Sequence, residues 1–264
     1  MTGPAATLRR PYGLAELGAV TAAAGVNRTV VVQAVSDTGE TADLLAAAAI
    51  SDGLVAGVVG WADLTAPALP DELHRLRELP GGKRLVGIRH QAHDEPDPGW
   101  LARPDVIRGL GVLVEQGLAY DFLIRTRELP AARAAAEEVD GLTFVVDHCA
   151  KPPIADGATE PWAGRLAELA RLPNVVCKVS GLVTEAAWAD WTVDDLRPYT
   201  DRVLALFGPD RLLFGSDWPV CTLAASYHDV LVAARECLAG LSDAERSAVF
   251  GGTAARVYAL PPAS

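Results

Sequence analysis

Residues 211–219 read Arg-Leu-Leu-Phe-Gly-Ser-Asp-Trp-Pro, and the fold prediction starts from this stretch. Its short apolar run has no polar alternation and predicts a strand buried on both faces, as in a parallel sheet. The run ends at Gly215, and Pro219 prevents its continuation. Asp217 therefore stands at the carboxyl end of a buried strand, where barrel enzymes carry their catalytic groups. The alternative is that Asp217 only caps the turn before the next helix.

Length and charge limit the class of protein. The chain has 264 residues, half of them hydrophobic, and a formal net charge of −11. This length suits one α/β barrel, and we expect a single domain over residues 1–264. The acidic balance argues against a nucleic-acid partner, which would require a clustered basic face.

Targeting signals and cysteine spacing indicate the compartment. No apolar run approaches the roughly 20 residues that cross a bilayer, and the N-terminus lacks the apolar segment of a signal peptide. The four cysteines form no Cys-x-x-Cys pair and no zinc-binding spacing. These features predict a cytoplasmic protein with reduced thiols and no membrane partner.

Seven short apolar, β-branched runs alternate with segments of helical periodicity. Strands in such an alternation pair in parallel through right-handed crossovers. No complete glycine-rich nucleotide-binding motif follows a strand, so the pattern favours a TIM-like (β/α)8 barrel over a doubly wound fold. The predicted strands are Thr29–Ala34, Leu54–Trp61, Leu85–Arg89, Tyr120–Ile124, Leu142–Asp147, Val175–Val179 and Leu212–Gly215.

The helices have readable ends. The first periodic element, Leu14–Ala24, is followed by Gly25 as a stop, and residues 103–117 have apolar side chains at helical spacing. Ser242 with Glu245 predicts a capping box for a last helix, and Thr192 with Asp195 is a weaker candidate.

A complete (β/α)8 barrel begins with a strand before its first helix, and residues 1–10 do not supply one. They contain glycine and proline breakers and two arginines, but no β-branched run. We therefore expect a barrel whose first strand is missing or truncated. An open barrel leaves the strands at 29–34 and 212–215 with unpaired edges, which a second copy of the chain would cover in a homo-oligomer.

Two polar side chains stand out at the predicted strand ends. His148 follows the apolar strand residues 144–146, and the carboxyl ends of parallel barrel strands meet at one mouth, where Asp217 is also expected. An imidazole and a carboxylate there can share a divalent metal or a water molecule. Catalytic zinc usually takes three protein ligands, so this pair alone makes an incomplete site. The alternative for His148 is a buried, hydrogen-bonded core histidine.

Arg89 and His90 end the third predicted strand. The planar guanidinium suits a carboxylate or a developing oxyanion, and we interpret the pair as substrate-binding. The alternative is a salt bridge at the rim to Asp63 or Glu95.

Three further residues are candidates for substrate contact. Lys178 lies between Cys177 and Val179, so its side chain points either into the barrel or into the helix layer, and burial would require a partner. Trp61 and Trp218 stand at strand ends and can stack on a sugar ring, although packing is the commoner role of tryptophan.

Five segments together resemble the amidohydrolase-related family, and more narrowly its sugar-lactonase branch of fuconolactonase and rhamnonolactonase types. The resemblance extends from about Leu14 to Tyr258. The segments are Val86-Gly-Ile-Arg-His90, Tyr120-Asp121, Phe144-Val-Val-Asp-His148 with Lys151-Pro152, Asn174-Val-Val-Cys-Lys-Val-Ser-Gly-Leu182, and Phe207-Gly-Pro-Asp-Arg-Leu-Leu-Phe-Gly-Ser-Asp-Trp-Pro-Val220.

The resemblance implies a distorted TIM barrel in which a strand-end aspartate activates the attacking water. By motif, Asp217 is that aspartate, His148 is the strand-end histidine, and Arg89 with His90 contacts the lactone. The family opens with a strand that ends in His-x-His, which this sequence lacks, and Met1–Arg10 resembles the linker after that strand. We therefore expect a start codon placed about 20 or more residues late, or a truncation.

The same resemblance implies the cofactor. Complete relatives are expected to hold one divalent, zinc-like metal, of whose ligands only His148 and Asp217 remain here. A smaller departure is Thr253, where relatives carry an asparagine.

We therefore expect a hydrolase of carbohydrate metabolism that opens a small carbohydrate-derived lactone, a carboxylic ester. Asp217, ionised at neutral pH by its ordinary pKa of about 3.9, would take a proton from the attacking water. One alternative is a metal-dependent decarboxylase or hydratase of the same superfamily. The other is a truncated, inactive barrel that acts only as a binding or structural protein.

Overall fold

The structure is a computed structural model and describes residues 8–261. Seven strands and eleven α-helices lie within this range. The strands are β1 (Thr29–Val32), β2 (Val55–Gly60), β3 (Leu85–His90), β4 (Ala119–Phe122), β5 (Phe144–Val146), β6 (Val175–Val179) and β7 (Leu212–Phe214). The helices are α1 (Leu14–Ala23), α2 (Thr38–Ala49), α3 (Leu69–Glu78), α4 (Pro104–Glu115), α5 (Leu129–Glu138), α6 (Trp162–Ala170), α7 (Leu182–Glu185), α8 (Val193–Phe207), α9 (Tyr227–Cys237), α10 (Asp243–Ser247) and α11 (Thr253–Val257).

The seven strands form one parallel sheet in the order β1 to β7. Each crossover between successive strands carries a helix, so the sheet curves into a TIM-like barrel with helices outside. Within residues 8–261 no strand joins β7 to β1, and the barrel is open along that seam. The predicted fold, a barrel that lacks one strand, is confirmed.

The predicted strands and helix ends agree with the structure to within a few residues. At β5 only Phe144–Val146 of the predicted Leu142–Asp147 is extended, and its carboxyl end is shorter because the chain enters a tight turn at Asp147. The two predicted capping boxes, at Thr192 and at Ser242, are both present. None of the helices within the described range is long and apolar enough to cross a membrane.

Both faces of the strands are buried, against different neighbours. Side chains that point outward, such as Phe122 and Phe144 with rings stacked at 4.7 Å, pack against the helices. Side chains that point inward form a second, smaller core inside the barrel, made of Val59, Ala119, Val145, Val176, Leu213 and Tyr258. This burial on both faces explains why the strands have no polar alternation in the sequence.

A polar layer lies above the apolar barrel core, toward the carboxyl ends of the strands. Arg89 and Asp121 are register partners on β3 and β4, Asp147 follows β5, and Lys178 lies on β6. All four are buried. This layer forms the floor of the barrel mouth.

Candidate active site

The carboxyl ends of β5 and β7 bring His148 and Asp217 together. His148 Nε2 lies 3.7 Å from Asp217 Oδ1, and the two side chains are 10% and 13% exposed. Both residues are therefore at one opening, nearly shielded from solvent, as the strand-end pattern predicts.

The turn that carries His148 has an unusual backbone. Four consecutive residues, His148 to Lys151, have φ between 50° and 58°, in the left-handed region. For residues other than glycine this conformation costs about 1–2 kcal/mol each. Two hydrogen bonds hold the turn: Lys151 N donates to His148 O at 2.8 Å, and Trp162 Nε1 donates to Cys149 O at 2.7 Å. Strain of this kind concentrates at functional sites.

Neighbours on β6 and the residues after it fix the His148 ring. Nδ1 lies 2.8 Å from Ser180 Oγ, so the hydroxyl orients the imidazole. A Cβ atom on Gly181 would lie only 2.6 Å from Nδ1, and Gly181 itself has φ +61°. Only glycine fits here, because a side chain would both strain the backbone and displace the ring.

Burial sets the charges of the pair. It lowers the pKa of His148 to about 3, so the imidazole is neutral at pH 7. Burial also raises the pKa of Asp217 to about 7, against the opposing effect of the Lys151 and Arg89 charges. The expectation that Asp217 is ionised at neutral pH assumed its ordinary pKa, which burial raises.

Beneath this pair lies a set of four buried charged residues and one tyrosine that we call the interior cluster: Arg89, Asp121, Asp147, Lys178 and Tyr258. The Lys178 side chain points into the barrel, where Nζ donates to Asp121 Oδ2 at 2.8 Å and pairs with Asp147. Arg89 Nη1 donates to Asp147 Oδ2 at 2.7 Å, and the Tyr258 hydroxyl donates to Asp121 Oδ2 at 2.8 Å. Two cations therefore balance two carboxylates.

The pKa values show how tightly these charges are coupled. Burial raises the pKa of Asp121 despite the nearby ammonium of Lys178. Burial also opposes ionisation of Asp147, but Lys178 and Arg89 hold its pKa well below the ordinary range. The pKa of Lys178 is raised by the two carboxylates although burial works against it. The sequence left the direction of Lys178 open, and the structure assigns it to this cluster.

Arg89 is almost fully engaged. Besides Asp147, it donates from Nε to Gln33 Oε1 at 3.1 Å and from Nη2 to both side-chain and backbone oxygens of Gln33. The alternative pairing with Asp63 or Glu95 is wrong for Arg89, whose carboxylate partner is Asp147, whereas His90 does contact Glu95. One N–H of Nη1 is not used in these hydrogen bonds.

His90 and Trp61 form one wall of the mouth. The Trp61 Nε1 group donates to His90 Nδ1 at 3.0 Å, which leaves Nε2 to donate to Glu95 at 2.8 Å. The His90 ring also stacks on Trp100 at 4.2 Å. Both ring nitrogens of His90 are therefore used within the protein.

Trp218 lies on the other side, at the open seam. Its ring meets Tyr12 edge-on at 5.2 Å. Together with Val20 of α1 these rings line a cavity of about 350 Å³.

A second set of charges, the rim cluster, consists of Lys151, Glu185 and Arg125. Lys151 Nζ lies 3.0 Å from Glu185 Oε1, and Arg125 Nη1 lies 3.5 Å from Glu185 Oε2. Sequence reasoning missed Lys151 and Glu185 as site residues. The available signal was the position of Lys151 three residues after His148, but its meaning depends on the left-handed turn.

The donor set does not fit a catalytic zinc ion. No group of three His, Cys, Asp or Glu side chains converges within residues 8–261, and residues 1–7 and 262–264 contain none of these types. His148 and Asp217 provide two ligands where catalytic zinc usually takes three. Here the chain differs from what the family resemblance implies.

Comparison with known proteins agrees with this architecture. The chain is 44% identical over 250 residues to L-fucono-1,5-lactonase of Burkholderia multivorans, covering 90% of this chain and 83% of that protein. It is 39% identical over 257 residues to L-fucono-1,5-lactonase of Burkholderia ambifaria, covering 95% and 86%. A crystal structure of a Burkholderia multivorans amidohydrolase with bound zinc matches with a TM-score of 0.92 and 42% identity, over 98% of this chain and 92% of that one.

These likenesses extend over nearly the whole chain. The profile of the family described as amidohydrolase matches residues 2–260, which include the barrel, the strand-end pair and both charged clusters. The protein is therefore a member of the amidohydrolase family.

Proposed function

We propose that the protein hydrolyses a sugar lactone of the L-fucono-1,5-lactone type to the open hydroxy acid. The identity of 44% and 39% to two L-fucono-1,5-lactonases supports this substrate class. The observation that carries the proposal is the pair of Asp217 and His148, 3.7 Å apart at the barrel mouth, with a carboxyl pKa of about 7. A general base is most effective when its pKa lies near the working pH.

The first step is attack by water. The separation of Asp217 Oδ1 and His148 Nε2 is too long for a direct hydrogen bond. In this proposal one water molecule lies to the side of the pair, at about 2.8 Å from each atom. The Asp217 carboxylate takes a proton from this water as its oxygen bonds to the lactone carbonyl carbon. Neutral His148, oriented by Ser180, donates from Nε2 to the same water and fixes its position.

The second step is ring opening. The bond between the carbonyl carbon and the ring oxygen breaks, and Asp217 returns its proton to that oxygen, which becomes the product hydroxyl. The new carboxylic acid then loses its proton to solvent at neutral pH. Asp217 is ionised again and ready for the next water, so the cycle uses only groups of this chain.

The remaining predicted site residues shape the pocket in this proposal. Trp61, His90 and Trp218 are walls against which the sugar ring packs. The free N–H of Arg89 faces the lactone, and Lys178 holds Asp147 and so fixes Arg89 from below.

Replacement of Asp217 by Asn tests the mechanism. We expect Asp217→Asn to lower turnover of L-fucono-1,5-lactone at least about a hundredfold, since the carboxamide cannot accept the proton. Acid release should be measured as an initial rate above uncatalysed ring opening, with the exposed Asp243→Asn as control. Unchanged turnover in Asp217→Asn would remove Asp217 from the mechanism.

A substrate panel tests the function itself. The wild-type protein should open sugar lactones and leave aromatic and 2-keto acids unchanged. Carbon dioxide release from those acids would instead support a decarboxylase. Failure to turn over any lactone, together with a rise in Tm on adding a sugar acid, would support a protein that only binds.

A further inference from the structure

The charges around the mouth are not equally available to a ligand. In the interior cluster, Lys178 and Arg89 are each paired with carboxylates, and their side chains are 10% exposed. Because the two cations balance Asp121 and Asp147, this cluster presents no net charge to the mouth. A negatively charged ligand needs another cation.

The rim cluster has such a cation. One carboxylate, Glu185, serves two cations, Lys151 and Arg125, which leaves one positive charge in excess. The Arg125 side chain is 51% exposed, whereas that of Lys151 is 17% exposed and therefore far less screened by solvent. The excess charge acts most strongly at Lys151.

The backbone holds Lys151 close to His148. Lys151 ends the left-handed turn that begins at His148, and its N–H donates to His148 O at 2.8 Å, so the two side chains leave the same short turn at the mouth. The ammonium acts on both members of the pair, since it opposes the rise in the pKa of Asp217 and contributes to the lowered pKa of His148.

We infer that Lys151 is a further catalytic residue, which receives the negative charge of the lactone carbonyl oxygen and then of the product carboxylate. This inference rests on the proposed lactonase function. When Asp217 takes the proton from water, its negative charge disappears as an equal charge forms on the carbonyl oxygen. The charge thereby moves from Asp217 to an atom that Lys151 stabilises, and Glu185 is the positioning residue that holds the ammonium in place.

The three lysines of the chain provide a matched test. Lys151→Met removes the rim charge and keeps the length of the side chain, while Lys83→Met removes an exposed charge before the amino end of β3. We expect Lys151→Met to lower kcat/KM for the lactone about a hundredfold, as loss of one oxyanion donor does. Lys83→Met should retain the wild-type value.

Binding of unreactive ligands separates this role from a structural one. Asp217→Asn serves as the background, because the carboxamide imitates the protonated carboxyl after proton transfer. Calorimetry on this variant, alone and combined with Lys151→Met or Lys83→Met, compares the hydroxy acid product with the corresponding neutral alditol. The Lys151 change should weaken binding of the acid tenfold or more and leave that of the alditol within twofold.

Each outcome decides the inference. Equal weakening of both ligands would show that Lys151 only supports the pocket, and no weakening of either would show that it contacts neither; both results overturn the inference. Absence of lactone hydrolysis by the wild-type protein would overturn the proposed function and the catalytic role of Lys151 with it. The binding of the anion by Lys151 is tested separately, since the preference for the acid is measured without turnover.

Discussion

The interior cluster and the rim cluster contain the same kinds of charged side chain but differ in their balance of charge. In the interior cluster, two cations meet two carboxylates, and Asp121 and Asp147 are completely buried. In the rim cluster, two cations share the single carboxylate of Glu185 beside the opening. A charge in a low-dielectric interior must be neutralised by the protein itself, whereas a charge at the mouth is stabilised by solvent until a ligand binds.

This difference indicates separate roles for stability and chemistry. The interior cluster links β3, β4, the turn after β5, and β6 to Tyr258, and so ties the polar floor of the mouth to the residue that follows α11. The rim cluster links the turn after β5 to α7 through one exposed and one shielded cation. Loss of a charge in the interior cluster should therefore lower the stability of the fold. Loss of a charge in the rim cluster should lower activity.

The largest expected effect is on stability, from Lys178→Met. Removing this ammonium leaves two buried carboxylates with too few partners, which costs about 3–5 kcal/mol in the free energy of unfolding. Lys151→Met should cost only about 1 kcal/mol, because Glu185 keeps Arg125 as a partner. Urea titration of both variants measures the comparison, and equal losses would contradict the division between the clusters.

Gly181→Ala should affect the site more than the fold. The new Cβ would lie 2.6 Å from His148 Nδ1, so we expect kcat to fall about a hundredfold through displacement of the ring. The left-handed backbone adds about 1–2 kcal/mol of destabilisation.

Gly117→Ala is the matched control, because φ there is +63° and no atom lies within 4 Å of the added Cβ. It should show the same loss of stability at unchanged kcat. A similar loss of kcat in both variants would mean that backbone strain, and not the position of His148, limits the reaction.

The pH dependence should reflect the burial of Asp217. Since the base must be ionised, we expect kcat/KM to rise with pH and to reach half its maximum near pH 7, at the raised pKa of this carboxyl. A half-maximum near pH 4 would show that Asp217 is solvated as in an open chain.

The same shift predicts the sign of a stability effect. The pKa of Asp217 is about 7 in the folded protein and about 3.9 in the unfolded chain. Its contribution to stability is therefore complete below about pH 4 and lost as the pH rises to 7. Asp217→Asn should gain stability relative to wild type across that interval, as thermal unfolding at pH 4 and pH 8 would show.

Much of the fold could be predicted because its signals are local. Each of the seven strands lies in an apolar run bounded by breakers, and the capping boxes at Thr192 and Ser242 need only the identity of residues three positions apart. The convergence of His148 and Asp217 could also be predicted, since the carboxyl ends of parallel strands share one mouth.

The partners of individual side chains could not be predicted. A barrel strand is apolar on both faces, so periodicity did not show which way Lys178 points, and Arg89 pairs with Asp147 from another strand. The role proposed for Lys151 depends on the positive φ of four consecutive residues, none of them a glycine, which the sequence does not indicate.

The sequence by itself determined the order of strands and helices and the end of the sheet at which polar residues gather, because these follow from hydrophobic period and chain direction. Only the tertiary structure decided which charges neutralise one another, which ammonium remains for a ligand, and that Asp217 titrates near pH 7. Electrostatic energies depend on distance and burial, which arise only when residues far apart in the chain meet.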